Sequence, residues 1–195
     1  MDSVENHNTT SSDNVQHKKI IEAILFSCNE PITLKRLGEI TELSGEIIIK
    51  YIEELNKDYE LTDRAFRIEK VANGFQLYTL PEFSPWVRMV YHSYQHKLSK
   101  PALEVLAIIA YNQPITKGEI EKIRGVDCSG PILTLLERKL IQITVRAQKP
   151  GRPFLYSTTK EFLRYFGLNS LDDLPQKDEI EEFLIARTSQ EHENS

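Results

Sequence analysis

Residues 29–40 read NEPITLKRLGEI and residues 112–123 read NQPITKGEIEKI. The two openings share Asn, Pro, Ile and Thr at an offset of 83 residues. Carried upstream, the same offset lays IIEAILF, from Ile20, on LEVLAII, from Leu103. Both are apolar runs of helix length that end just before the shared turn. One structural unit is therefore used twice along the chain.

Each copy reads alike. The apolar run predicts a first helix that is central, because it is apolar nearly all round. Asn-x-Pro then ends it, since Pro cannot continue a helix and restrains the residue before it. Thr33 and Thr116 stand as N-caps of a second helix. Thr116 with Glu119 makes a capping box, which the first copy lacks because Arg36 holds that place. A third helix is predicted from about Ser44, with Ile48, Tyr51, Ile52, Leu55 and Tyr59 on one face. Its counterpart runs from about Ser129, with Ile132, Leu135, Leu136 and Leu140. Between the second and third helices of the later copy lies RGVDCSG, residues 124–130. There Gly125 ends one helix, Asp127 or Ser129 caps the next, and Pro131 sits in its first turn.

An extended pair follows each third helix. RAFRIEKVA and FQLYTL flank Asn73-Gly74, a strong two-residue hairpin signal. IQITVRA and PFLYSTT flank QKPGR, and Ile141, Ile143 and Val145 alternate as a half-buried strand should. Three helices followed by a β-hairpin make a winged helix, a variant of helix-turn-helix. The expected fold is mainly α with small β-hairpin wings, in two tandem winged-helix domains. Between them Ser84 caps and Pro85 opens a further helix with Val87, Val90, Tyr91 and Tyr94 on one stripe. Trp86 and Met89 lie off that stripe, as ordinary packing or as a face for a partner. Thr158 and Glu161 form another capping box before FLRYF, Gly167 stops that helix, and LDDLP leads into an acidic tail. The expected division is a disordered leader over 1–16, a first domain with linker helix over 17–98, a second over 99–168 and the tail over 169–195.

Bulk properties narrow the class. The 195 residues are 40% hydrophobic and 27% charged, with a net charge of −5, values of a soluble globular protein. No apolar run reaches the roughly 20 residues of a membrane helix. The opening MDSVENHNTTSSDN is polar and acidic, unlike a signal peptide. Cys28 and Cys128 have no CxxC partner, so reduced thiols in a cytosol are expected. Residues 99–165 carry a net +5 between acidic flanks, a mild field rather than that of a typical nucleic-acid domain.

Enzymatic chemistry finds no constellation. A reactive Cys128 would need a base or a positive field, yet no histidine lies between His96 and His192 and Arg124 is the only nearby cation. Gly, Asp and Ser are what an interhelical turn requires. Gly130 precedes Pro131 rather than Lys, so no phosphate-binding loop forms. His92 and His96 have the spacing of a metal pair, but Ser93 replaces the glutamate of a zinc peptidase and nothing completes a site. Glu53-Glu54 and Asp172-Asp173 are adjacent acids that do not face each other on a helix. No catalytic residue, metal or cofactor is expected.

Winged helices often read DNA by placing the third helix in the major groove. Here the first copy offers Lys50, Glu53, Glu54, Lys57 and Asp58, whose acids repel phosphate; the second offers Leu133, Thr134, Glu137 and Arg138, poor in donors. Arg146, Lys149 and Arg152 cluster at the second hairpin, with Lys139 near its base, and this wing allows a weak, salt-sensitive backbone contact. A winged-helix transcriptional regulator working through that wing is the alternative reading. Two non-reading winged helices favour a protein-interaction module.

From Lys18 to Pro175 the chain resembles the ScpB family of bacterial segregation and condensation proteins. The most specific stretch is LSKPALEVLAIIAYNQPITKGEIEKIRGVDCSG, residues 98–130, continued by LLERKLI, GRPFLYSTT, FLRYFGL and LDDLP. IIEAILF, NEPIT and GFQLYT carry the likeness in the first half. Lys139 departs from it, standing where a small residue is expected, and QKPGRP is a variable piece. The resemblance implies a non-enzymatic cytoplasmic, nucleoid-associated adapter: a homodimer that binds the kleisin ScpA and, through it, an SMC ATPase, with no membrane role and no more than weak non-specific DNA binding. It implies dimerisation through the first domain, for which Ile47 and Ile49 are the candidates. It implies kleisin binding by the second domain, with Tyr111, Arg124, Arg138, Arg152 and Tyr156 as candidate contacts.

Overall fold

The computed structural model describes residues 6–90 and 97–176, together with Glu179. Tyr91, His92, Tyr94 and His96, and in the tail residues 177, 178 and 180–195, lie outside the described residues.

The first unit runs α1 (Asn6–Ser27), β1 (Ile32–Thr33), α2 (Leu34–Thr41), α3 (Gly45–Leu61), β2 (Phe66–Val71) and β3 (Gly74–Thr79). The second repeats that order as α5 (Lys100–Asn112), β4 (Ile115–Thr116), α6 (Lys117–Arg124), α7 (Ser129–Glu137), β5 (Ile141–Arg146) and β6 (Phe154–Thr158). Between them a short 3-10 turn, Pro81–Phe83, runs into α4 (Ser84–Val90). After them come α8 (Lys160–Phe166) and a 3-10 turn, Leu171–Asp173. Each unit has a three-stranded antiparallel sheet, ordered β1-β3-β2 and β4-β6-β5. This is the winged-helix topology, twice. The two-residue strands β1 and β4 complete the sheets and were not foreseen; nothing in an Ile-Thr pair marks a strand until a partner edge lies beside it.

Local chemistry explains most boundaries. Thr33 accepts the Arg36 amide, Ser44 that of Ile47, and Ser99 that of Ala102. Thr116 and Glu119 form the reciprocal capping box at the head of α6. The α3 stripe Ile48, Tyr51, Ile52, Leu55 and Tyr59 is buried throughout and closes on Ile21 and Leu25 of α1. Two phenols on that stripe find partners on α1: Tyr51 Oη donates to Asn14 Oδ1 at 2.7 Å and Tyr59 Oη to Glu22 Oε1 at 2.9 Å. The Tyr51 contact explains one correction. Residues 6–16, expected as a disordered leader, lie in α1, and Asn14 ties their end to α3.

Other expectations shift. The first hairpin turns on Ala72 and Asn73, both left-handed (φ 50° and 61°), and Gly74 pairs with Val71 as a strand residue. Gly74 is needed elsewhere: a Cβ there would lie 2.9 Å from the Ile32 carbonyl oxygen where β1 crosses. Ser84 does not cap α4, because the helical run already starts at Pro81. No residue of α4 is buried: Val87 is half-buried and Val90 is exposed. Thr159, not Thr158, caps α8; the Thr158 N–H and hydroxyl donate to Gln113 Oε1 at 2.7 and 3.0 Å. In β5 only Ile141 is buried. Ile143 and Val145 are exposed, because pairing with β6 becomes irregular after Ile143 and the strand leaves the helical layer. LDDLP does not begin the tail: Ser170 and Asp173 cap each other's backbone, and Leu174 packs on the second core.

Candidate protein-interaction surfaces

The RGVDCSG segment is a turn. Gly125 closes α6 in the left-handed region (φ 75°), which glycine adopts without strain. Asp127 accepts both the N–H and the hydroxyl of Ser129, at 3.1 and 2.8 Å, so it rather than Ser129 holds the start of α7. Lys117 closes the network, 3.2 Å from Glu121, 3.2 Å from Asp127 and 2.6 Å from Ser129 Oγ. The Ser129 bonds and then Lys117 bring the Asp127 carboxyl down to about 2. Hydrogen bonds to Asp127 and Glu121 push the Lys117 ammonium above its ordinary value. That cation is engaged within the fold and is not free for phosphate. Cys128 is fully buried, and burial followed by the nearby Glu121 carboxylate pushes its thiol up, the opposite of what a nucleophile needs.

The five candidate contacts of the second unit occupy different layers. Tyr111 is exposed, and its Oη donates to the Pro175 carbonyl at 2.8 Å. Arg138 is half-buried at the end of α7, and Arg152 is exposed in the wing. Arg124 lies beneath the surface, its side chain 9% exposed; it donates to Glu104 at 3.0 Å and to the Asp127 carbonyl at 3.4 Å, bracing α5 against the turn. Tyr156 is a core residue, 8% exposed, paired with Ile115 and Ile143.

The wing holds less free charge than its composition suggests. Lys149 Nζ pairs with Glu119 at 2.7 Å. Arg146 lies 4.2 Å over the Phe154 ring and donates to the Arg152 carbonyl. On α3, Lys18 from α1 bridges Glu54 and Asp58 at 3.3 and 3.5 Å. Among the described residues, neither third helix presents an array of donors to a base edge. Among the described residues, no group of three His, Cys, Asp or Glu residues could hold a metal, and no helix is long and apolar enough to cross a membrane.

Exposed apolar side chains are more prominent. In the first unit Ile47 and Ile49 are each 40% exposed on α3. On the connector, Trp86, Met89 and Val90 are all largely exposed. The second unit has a groove of about 370 Å³ between α5 and α8, closed at one end by Leu174 and Pro175. Sequence reasoning missed it, because it needs the docking of residues 168–175, whose short motif reads as the start of a tail.

Comparison with known proteins gives a consistent result. A family model described as "Segregation and condensation complex subunit ScpB" matches residues 19–177. Segregation and condensation protein B of Syntrophotalea carbinolica is 42% identical over 170 residues, covering 87% of this chain and 86% of that protein. The protein of the same name from Brevibacillus brevis is 48% identical over 161 residues, covering 82% and 83%. A crystal structure described as a dimer of an ScpB N-terminal domain complexed with an ScpA peptide is 28% identical, with a TM-score of 0.35, covering 37% of this chain and 91% of that one.

Proposed function

The chain belongs to the ScpB family of segregation and condensation complex subunits, and on that premise we propose that it is a non-enzymatic adapter that binds the kleisin ScpA. It works in chromosome condensation and segregation, reaches an SMC ATPase through ScpA, and resides in the cytoplasm with the nucleoid. The observation that carries this reading is a family match over residues 19–177, which takes in both winged-helix units. The exposed apolar surfaces support it, since a kleisin segment wrapped over two domains buries apolar area while meeting its ordering cost. The engaged wing cations speak against a sequence-specific regulator, and DNA contact is weak and non-specific.

The chain is a homodimer in this reading, with Ile47 and Ile49 at the contact. In the second domain Tyr111, Arg138 and Arg152 meet ScpA, while Arg124 and Tyr156 hold that surface from below. Light scattering on the eluting protein tests both parts. Alone, the chain should run at twice its 22.6 kDa monomer mass; with purified ScpA the two should co-elute at near-physiological salt. Ile47→Glu with Ile49→Glu should give a folded monomer. A monomeric parent chain that ignores ScpA would overturn the reading.

A further inference from the structure

One short segment touches both units. Gly167 closes α8 in the left-handed region (φ 68°) and turns the chain off the helix. The Leu168 and Asn169 carbonyls then accept the Ala72 and Asn73 N–H groups, from the tip of the first hairpin, at 2.9 and 3.0 Å. Further on, Leu174 and Pro175 form the lip of the groove between α5 and α8, and Tyr111 Oη pins the Pro175 carbonyl at 2.8 Å. Between these ends the segment is tied to itself. Asp173 Oδ2 accepts the Asn169 and Ser170 N–H groups at 2.7 and 2.9 Å, and the Leu174 N–H donates to the Leu171 carbonyl at 3.1 Å. Leu168 and Leu174 pack on the core cluster that also takes in Val71 and Ala72 of the first unit. Yet no residue from 168 to 175 is fully buried, so few apolar contacts hold the segment down.

We propose that residues 168–175 form a strap that locks the two winged-helix units together, and that lifting its Leu174–Pro175 end from the groove releases the first hairpin at the other end. The bonds around Asp173 make the segment one body, so motion at the lip reaches the Leu168 and Asn169 carbonyls instead of dissipating along a loose chain. Outside the strap, Arg164 donates to the Asn29 carbonyl at 3.3 Å, longer than either bond at the seam, and α4 contributes no buried residue. Coupling between two contacts is reciprocal, so what loosens the seam also loosens the lip. With the strap lifted, the units are free to change their mutual orientation, and the end of the groove opens in the same event. The strap does not rest on the adapter reading.

Hydrogen exchange on the full chain tests this, because the Ala72 and Asn73 amides report the seam directly. Tyr111→Phe removes only the hydroxyl that pins Pro175 and should speed exchange at both amides about threefold. Leu174→Asp puts a charge at the lip and should speed it about tenfold. The α7 amides, inside the second unit, should stay unchanged in both variants. By reciprocity, Ala72→Asp should speed exchange of the Leu174 amide. In an Asp173→Ala background the segment is no longer tied to itself, and Tyr111→Phe should leave the seam unmoved. Seam amides unaffected by both lip variants, or an undiminished Tyr111→Phe effect without the Asp173 carboxylate, would overturn the proposal. Equal acceleration throughout α7 would overturn it too, by making Leu174 a plain core residue. None of these readouts involves ScpA, so strap and adapter function fail separately.

Discussion

Gly74 and Lys139 show how a single backbone position can be set by what surrounds it. Gly74 has an ordinary φ, so its lack of a side chain serves proximity rather than torsion. A Cβ there would sit 2.9 Å from the Ile32 oxygen and 3.0 Å from the Pro31 carbonyl carbon, both backbone atoms that cannot swing aside. Gly74→Ala should therefore prise β1 from β3 and cost about 1–3 kcal/mol, read by urea unfolding. An unchanged midpoint would show that β1 yields freely. Lys139 is the reverse case. It lies just after α7 at φ 57°, a region that disfavours side chains by roughly 1–2 kcal/mol. That torsion accounts for the small residue expected there from the family pattern. Lys139→Gly should raise stability by about 0.5–1 kcal/mol once the extra freedom of an unfolded glycine is set against the relieved strain. The opposite sign would place the strain elsewhere.

At the scale of elements, the second wing is fastened to the body by a side-chain pair. Lys149 at its tip and the Thr116 N–H and hydroxyl all donate to Glu119 and hold its carboxyl down at about 2, the Lys149 bond contributing most. A carboxyl depressed in the folded state stabilises it above the unfolded value of about 4.3, and that contribution is lost as pH falls towards 2. Lys149→Ala should raise the Glu119 midpoint in a carbon-detected NMR titration. It should stay below the ordinary carboxylate range, because the Thr116 bonds at 2.9 and 2.7 Å remain. An unmoved midpoint would mean the wing tip is not held in solution. The same elements show what the sequence made legible. The caps at Thr33, Ser44 and Thr116 and the α3 stripe were readable because they depend on neighbours three or four residues away, and the repeat because both copies keep the same residues at one fixed offset. The Thr158–Thr159 shift was not, since either threonine can cap and only the distant Gln113 decides between them. Nor was the exposure of Ile143 and Val145, which alternate correctly but run past the helices that would cover them. The groove was invisible for a similar reason: its lip is supplied by a segment more than 60 residues from Tyr111.

The whole molecule is joined at the tip of the first hairpin. The Ala72 N–H donates to the Leu168 carbonyl at 2.9 Å and the Asn73 N–H to the Asn169 carbonyl at 3.0 Å, while Arg164 reaches the Asn29 carbonyl at 3.3 Å. Val71 and Ala72, though part of the first unit, are buried in the core cluster of the second. The left-handed Ala72-Asn73 turn thus serves as the docking point between units, and using Gly74 for the β1 crossing leaves a small apolar residue free to enter that contact. Coupling of this kind predicts cooperative unfolding. Calorimetry of the parent should give one transition, since opening the hairpin tip exposes apolar surface of both units. Ala72→Asp isolates the contact: aspartate tolerates a left-handed φ, so the turn can form, but its charge cannot be buried where Ala72 is 5% exposed. The variant should unfold in two separated steps, with each unit retaining its own secondary structure between them. A single transition at an unchanged temperature in Ala72→Asp would show that the units are coupled through some other route, the α4 connector being the remaining covalent one.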